Sequence, residues 1–301
     1  MKEFMYDIDV GLIAGLLLVS TVAALEIGYR VGIRIKERTD EPSRAHIHLT
    51  ETATLSLLAL LLAFTFSLSL QRYDSRSDQV VDEANAIGTA YLRIDLLPPP
   101  LRDEVRALMR DYVNQRVESS TIATSRESEW RASVAEAGRL QAALWSYAGR
   151  AADLDPSPVR SGMFIQALND MIDSFGRRDA GLNRHVPEVV LLLLLGVFLI
   201  TAAIVGFASG TGGHRPPAVS LVMVGLIVVL IFVILDLDRP RRGLIEVSKR
   251  SLYELQSSIN SQAAVPAAVR PRRRLRPARP HPRAARVAEA SDRTPNEARA
   301  A

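Results

Sequence analysis

The chain has 301 residues, enough for two ordinary domains, yet 48% of them are hydrophobic, only 6% are aromatic and none is cysteine. Four apolar runs of about 18 residues take it out of the soluble class, and the missing cysteines exclude disulfides, thiolate zinc sites, iron–sulfur clusters and a cysteine nucleophile. The net charge of +4 conceals an asymmetry: residues 264–301 carry ten arginines against Glu289, Asp292 and Glu297, a balance of +7 that leaves −3 for residues 1–263.

The first predicted element is a membrane span over Val10–Ile27 (VGLIAGLLLVSTVAALEI). Its leading segment, MKEFMYDID, sets one lysine against Glu3, Asp7 and Asp9, the reverse of a signal-peptide n-region, so an uncleaved span is expected. Glu26 closes the span and Arg30 follows one turn later, a spacing that suits an i,i+4 pair at the membrane boundary. Gly11-xxx-Gly15 and Gly28-xxx-Gly32 offer close helix approach in lipid, a weak pointer to oligomerisation. His46, His48 and Glu51 have the residue types of a metal site. On a helix, however, two histidines two apart diverge, and polar residues at the interface are the better reading, with no metal expected.

A second span is expected over Thr54–Leu70 (TLSLLALLLAFTFSLSL), and with no Gly or Pro between Thr52 and Ile87 its helix should run on without a break. Along it Asp74, Asp78, Asp82, Asn85, Thr89 and Arg93 recur at helical spacing as one polar stripe, until Pro98–Pro100 close the helix. Such a stripe suits a hydrogen-bonded seam between helices or subunits, or the wall of a wet vestibule; the plain alternative is a solvated helix face. The small residues Ala84, Ala86, Gly88 and Ala90 favour close helix contact.

Residues 71–188 read as helical throughout, with no alternating strand pattern. Leu101, Val105, Leu108, Tyr112 and Val117 keep helical spacing, with Asp103 and Glu104 assigned to that helix's first turn. A second helix over roughly 127–152 aligns Trp130, Val134, Ala137, Leu144 and Ala148. A third, after Pro156 and Pro158, carries Met163, Phe164, Leu168, Met171, Ile172 and Phe175. Two more spans follow, Val189–Ala208 and Ala218–Leu235, joined by the glycine-rich turn GTGGHRPP. Asp236, Asp238, Arg239, Arg241 and Arg242 crowd the exit of the fourth span. On a four-span topology they share a side with Arg72–Asp82, so salt bridges between the two motifs are physically possible. Eleven basic residues flank the spans on the side of the termini and the 71–188 segment against six on the other, so that side is expected in the cytoplasm. The Pro/Ala/Arg-rich tail cannot bury a core and is expected to be disordered, with anionic lipid headgroups as its partner rather than nucleic acid.

Three phrases, LLAFTFSLSLQRYDSR (61–76), VVDEANAIGTAYLRIDLLP (80–98) and DLDRPRRGLIEVS (236–248), resemble the bacterial bestrophin-like family, a domain of unknown function; ALEIGYRVG (24–32) also fits that family's first span. The resemblance covers roughly residues 10–260 and implies a multi-span membrane protein. Its name implies kinship to bestrophins, which are pentameric anion channels with four-span subunits and cytoplasmic termini. No bestrophin pore motif transfers residue by residue, and span two has no proline to organise a neck.

The expectation is therefore an all-α, four-span transmembrane protein with an extramembrane helical bundle between spans two and three. Its divisions are 1–70, 71–188, 189–262 with a post-span helix, and the basic tail 263–301. It is expected to be a homo-oligomer of the inner membrane, with a small ion as candidate permeant. A membrane-anchored scaffold or sensor, whose bundle binds a protein partner, is the alternative. No nucleophile elbow, HExxH or dinucleotide fingerprint occurs, so neither enzymatic activity nor a cofactor is expected.

Overall fold

The computed structural model describes residues 9–122, 126–182, 184–216, 218–239 and 244–264. Within these the chain forms eight α-helices: α1 (Val10–Ile35), α2 (Glu41–Arg93), α3 (Pro99–Ser119), α4 (Glu127–Leu154), α5 (Ser161–Leu182), α6 (Glu188–Gly212), α7 (Ala218–Asp238) and α8 (Arg250–Ala264). The basic tail beyond residue 264 and Arg242 lie outside the described residues. The chain divides into a unit of residues 1–260, which holds the spans and the bundle, and a second of 261–301.

Local chemistry sets the helix limits. Asp9 caps α1 by accepting from Leu12 N at 3.2 Å, and Asp40 caps α2 by accepting from Ser43 N at 3.1 Å. With no Gly or Pro from Thr52 to Ile87, α2 runs for 53 residues. It gives way to a 3₁₀ turn at Ile94–Leu96 and an extended Leu97, since a residue before proline is pushed out of helical geometry. Because α3 opens at Pro99 itself, Asp103 and Glu104 fall in its second turn rather than its first. Gly213, at φ 79°, ends α6 in the left-handed conformation that glycine adopts without strain.

Four helices are long and apolar enough to cross a membrane: α1, α2, α6 and α7. Their inner faces meet in one core that includes Leu17, Leu58, Leu62, Leu194, Phe198 and Ile231. The outer faces of α1, α6 and α7 leave Leu12, Val19, Ile27, Leu192, Val222 and Leu226 exposed, a belt that water would penalise and hydrocarbon accepts. The tightest packing joins α1 to α6. A Cβ on Gly28 would run into the carbonyl of Ala203, one on Gly206 into that of Leu25, and Gly32 and Gly210 meet the opposite backbone one turn on. The second small-xxx-small pair of α1 thus works within the subunit, while no described residue comes within 4 Å of where a Cβ on Gly15 would stand.

The second half of α2 with α3, α4, α5 and the start of α8 encloses a separate core, built on Ile87, Ile94, Val105, Met109, Tyr112, Leu144, Phe164, Leu168, Met171 and Leu252. Met163, expected among these, is exposed, and its carbonyl instead accepts from Arg93. Gly88 leaves room for Leu255 of α8, whose Cδ1 lies 3.3 Å from where a Cβ would stand.

Candidate functional site: a polar junction and the uncovered face of helix α2

Helix α2 belongs to both cores, and its two faces carry different chemistry. The inward face runs through Leu58, Leu62, Thr65, Ser69, Arg76, Val80, Glu83, Ile87 and Ala90, so two charged residues sit at core positions. Arg76 lies where the bundle meets the membrane helices. Its Nε donates to Gly181 O (3.3 Å), Nη1 to Leu237 O (3.2 Å), and Nη2 to Arg184 O (2.7 Å) and Asp238 O (3.1 Å). One guanidinium thereby satisfies orphan carbonyls at the C-terminal ends of α5 and α7, where the helix dipoles also favour a cation.

The carboxylates at the exit of span four complete this junction. Asp238 accepts from Val186 N at 2.8 Å, and its Oδ1 stands 3.9 Å from Arg72 Nε and from Arg76 Nη2. The two carboxylate oxygens of Asp236 accept from Leu244 N and Ile245 N at 2.9 Å each. Arg239 is buried beside them. On α1, Arg30 Nε donates to Glu26 Oε1 at 2.8 Å, the one-turn pair its spacing allows. His48 and Glu51 meet at 3.1 Å.

Two turns beyond Arg76, Glu83 is wholly buried between two guanidiniums. Its Oε1 accepts from Arg116 Nε at 2.7 Å, and its Oε2 accepts from Arg178 Nη1. Arg116 also donates to Ser119 Oγ at 3.3 Å and covers the Phe175 ring, 4.7 Å from its centroid. Burial pushes the Glu83 carboxyl up, but Arg116 and Arg178 outweigh it and hold the group below the ordinary carboxylate range. Next to this triad the Tyr112 hydroxyl accepts from Gln141 Nε2 at 3.0 Å, and burial raises its pKa to about 12. Sequence reading did not single out Glu83, Arg116 or Arg178, and it held Arg76 only within the Arg72–Asp82 motif on the side of the span-four exit.

The predicted stripe lies on the opposite side. Asp74, Asp78, Asp82, Asn85 and Thr89 are all exposed, so within one subunit they form no seam between helices; Arg93 is half-buried and donates to Met163 O at 2.9 Å. The exposed sector also continues upward into the membrane span. Ser56, Ala63, Ser67, Asp74, Asp78, Asn85 and Thr89 are exposed and recur at alternating steps of seven and four, a period that stays on one side of a nearly straight helix. Leu60, Phe64 and Leu70 share the sector.

Comparison with known proteins supplies context for this geometry. No curated protein matches the chain in sequence. Among solved structures, a variant of a bacterial bestrophin homologue from Klebsiella pneumoniae superposes with a TM-score of 0.60 at 15% identity, over 84% of this chain and 98% of that one. A second variant of the homologue gives 0.59 at 13% identity, over 85% and 99%. A structure described only as a membrane protein gives 0.56 at 14% identity, over 85% and 99%. At such identities the likeness concerns the fold: four spans with the bundle between the second and third. The model of the bestrophin-like domain matches residues 39–252, so the phrase at Ala24–Gly32 lies outside that match, whereas α2, the buried triad and the Asp236–Asp238 junction lie within it. The chain belongs to the bestrophin-like family.

Proposed function

We propose that the protein assembles as a homo-oligomer of the inner membrane and passes small ions along a path lined by the uncovered face of α2. One observation carries this reading. The longest helix packs its inward face and leaves a continuous opposite face, with Ser56, Ala63 and Ser67 among Leu60, Phe64 and Leu70 at membrane depth and carboxylates and amides below. Copies of α2 arranged around an axis would turn that face into the wall of a wet pathway. Asp74, Asp78 and Asp82 would then recur as rings of carboxylates, which favour cations over anions. Lipid would meet the apolar outer faces of α1, α6 and α7.

The excess of basic residues beside the bundle supports its placement, with both termini, in the cytoplasm, where the arginine-rich tail would meet anionic headgroups. Purified protein in liposomes tests the reading. Flux of a small cation is expected, with Asp78→Asn and Asp82→Ala shifting the reversal potential under a salt gradient towards that of a non-selective pore. A pure monomer in detergent, or no flux of any ion, would overturn it and favour a membrane-anchored scaffold.

A further inference from the structure

The bundle contains a cavity of about 40 Å³ next to the buried triad. Its walls come from α2, the end of α3, the start of α4, the end of α5 and the segment leading into α8. Arg76, Arg116, Arg178 and Lys249 line it together with the hydroxyl-bearing Ser119 and Ser120, and no carboxylate is among the described residues that line it. Nearby acids offset part of this charge: both oxygens of Glu83 face Arg116 and Arg178, and Glu246 meets Lys249 at 3.3 Å. Arg178 spends one nitrogen on Glu83, and no other bond to it is found among the described residues, so its remaining N–H groups are available to the cavity. Arg76 contributes charge rather than donors, since its N–H groups point at carbonyls.

Four cations line the cavity against Glu83, Glu246 and, 3.9 Å from Arg76, Asp238, so the lining keeps a net positive charge that water alone does not neutralise. We propose that this cavity binds an oxyanion, either a free phosphate-like ion or the phosphate of a lipid headgroup, with Arg178 and Lys249 as its direct contacts. Guanidinium and ammonium donors lining one cavity are the recognition chemistry of a tetrahedral oxyanion. Both sources fit the position. Arg76 lies six residues past Leu70, about 9 Å of helix at 1.5 Å per residue, so the cavity sits just below the bilayer surface. This site is independent of any pathway along the outer face of α2, which lies on the opposite side of that helix.

Trp130 lines the cavity, and the only other tryptophan, Trp145, is exposed and away from it. In full-length protein carrying Trp145→Phe, fluorescence is titrated with inorganic phosphate at constant ionic strength, first in lipid-free detergent and then in nanodiscs with and without phosphatidylglycerol. A saturable change in detergent identifies a free oxyanion, and a change seen only with phosphatidylglycerol identifies the headgroup; either outcome upholds the site. Arg178→Gln should weaken the response about tenfold or more, the loss of a charge-assisted bond, and Lys249→Gln severalfold. Lys249 is partly exposed and its replacement leaves the core intact, so that variant decides the matter if Arg178→Gln does not fold. No saturable change in either setting, or a response that both folded variants retain unweakened, overturns the proposal.

Discussion

Replacing Glu83 by alanine removes the carboxylate between two buried guanidiniums. Arg116 would keep Ser119 Oγ and the Phe175 ring, while Arg178 would lose the one partner it has among the described residues. Breaking a buried ion pair by deleting one partner costs about 3–5 kcal/mol, because the remaining charge is left uncompensated. For a bundle of this size each kcal/mol lowers the melting temperature by several degrees, so Glu83→Ala should melt roughly 10–20 °C below the parent. Far-UV circular dichroism of detergent-solubilised protein measures this. Glu83→Gln, which keeps the shape and one acceptor, should fall between the two. pH dependence separates charge from shape. The folded Glu83 titrates below its ordinary range, so its contribution is complete at neutral pH and is lost as the pH falls through that depressed value. Parent protein should therefore lose stability on acidification more steeply than Glu83→Gln. A melting temperature for Glu83→Ala within about 2 °C of the parent would refute the view that the triad holds the bundle together.

Other consequences arise from the same geometry. Arg76→Lys keeps the charge but cannot present a planar fork to four carbonyls, and it should cost about 2 kcal/mol or more in thermal melts. A melt equal to the parent's would show that the carbonyls do not need Arg76. Gly206→Ala should separate α1 from α6 and destabilise by about 1–3 kcal/mol, whereas Gly15→Ala, with open space around it, should be neutral or stabilise by up to about 1 kcal/mol. Equal melts for the two would contradict the close approach. With its pKa at about 12, the Tyr112 phenol should stay protonated through the ordinary tyrosine range, so the ultraviolet titration difference between parent and Tyr112→Phe should be flat there.

The membrane architecture was legible in the sequence because lipid imposes a simple rule: long apolar runs without breakers become spans, and the absence of Gly and Pro from Thr52 to Ile87 carries α2 out of the bilayer. Helix ends at prolines were legible for the same local reason. The triad was not. Reading acids at helical spacing selected Asp82 and passed over Glu83, its neighbour, which lies on the other face. A signal did exist: Arg76, Val80, Glu83, Ile87, Ala90 and Ile94 step by four and three, so both charges share the phase of the core residues. A charge in an apolar phase announces a buried partner but does not identify it. Arg116 and Arg178 lie 33 and 95 residues away, and only tertiary packing brings them to Glu83. The Asp238–Arg76 junction was partly legible, since topology alone put both motifs on one side of the membrane.

The absence of native cysteine permits a direct test of the α2-lined path. A cysteine placed at Ser67, on the uncovered face within the second span, can be treated with a membrane-impermeant charged thiol reagent during ion flux in liposomes, with Val222→Cys on the lipid-facing side of α7 as the comparison. Block of flux at Ser67→Cys alone is the predicted result. Unchanged flux in the modified Ser67→Cys protein would contradict the assignment of that face to the pathway.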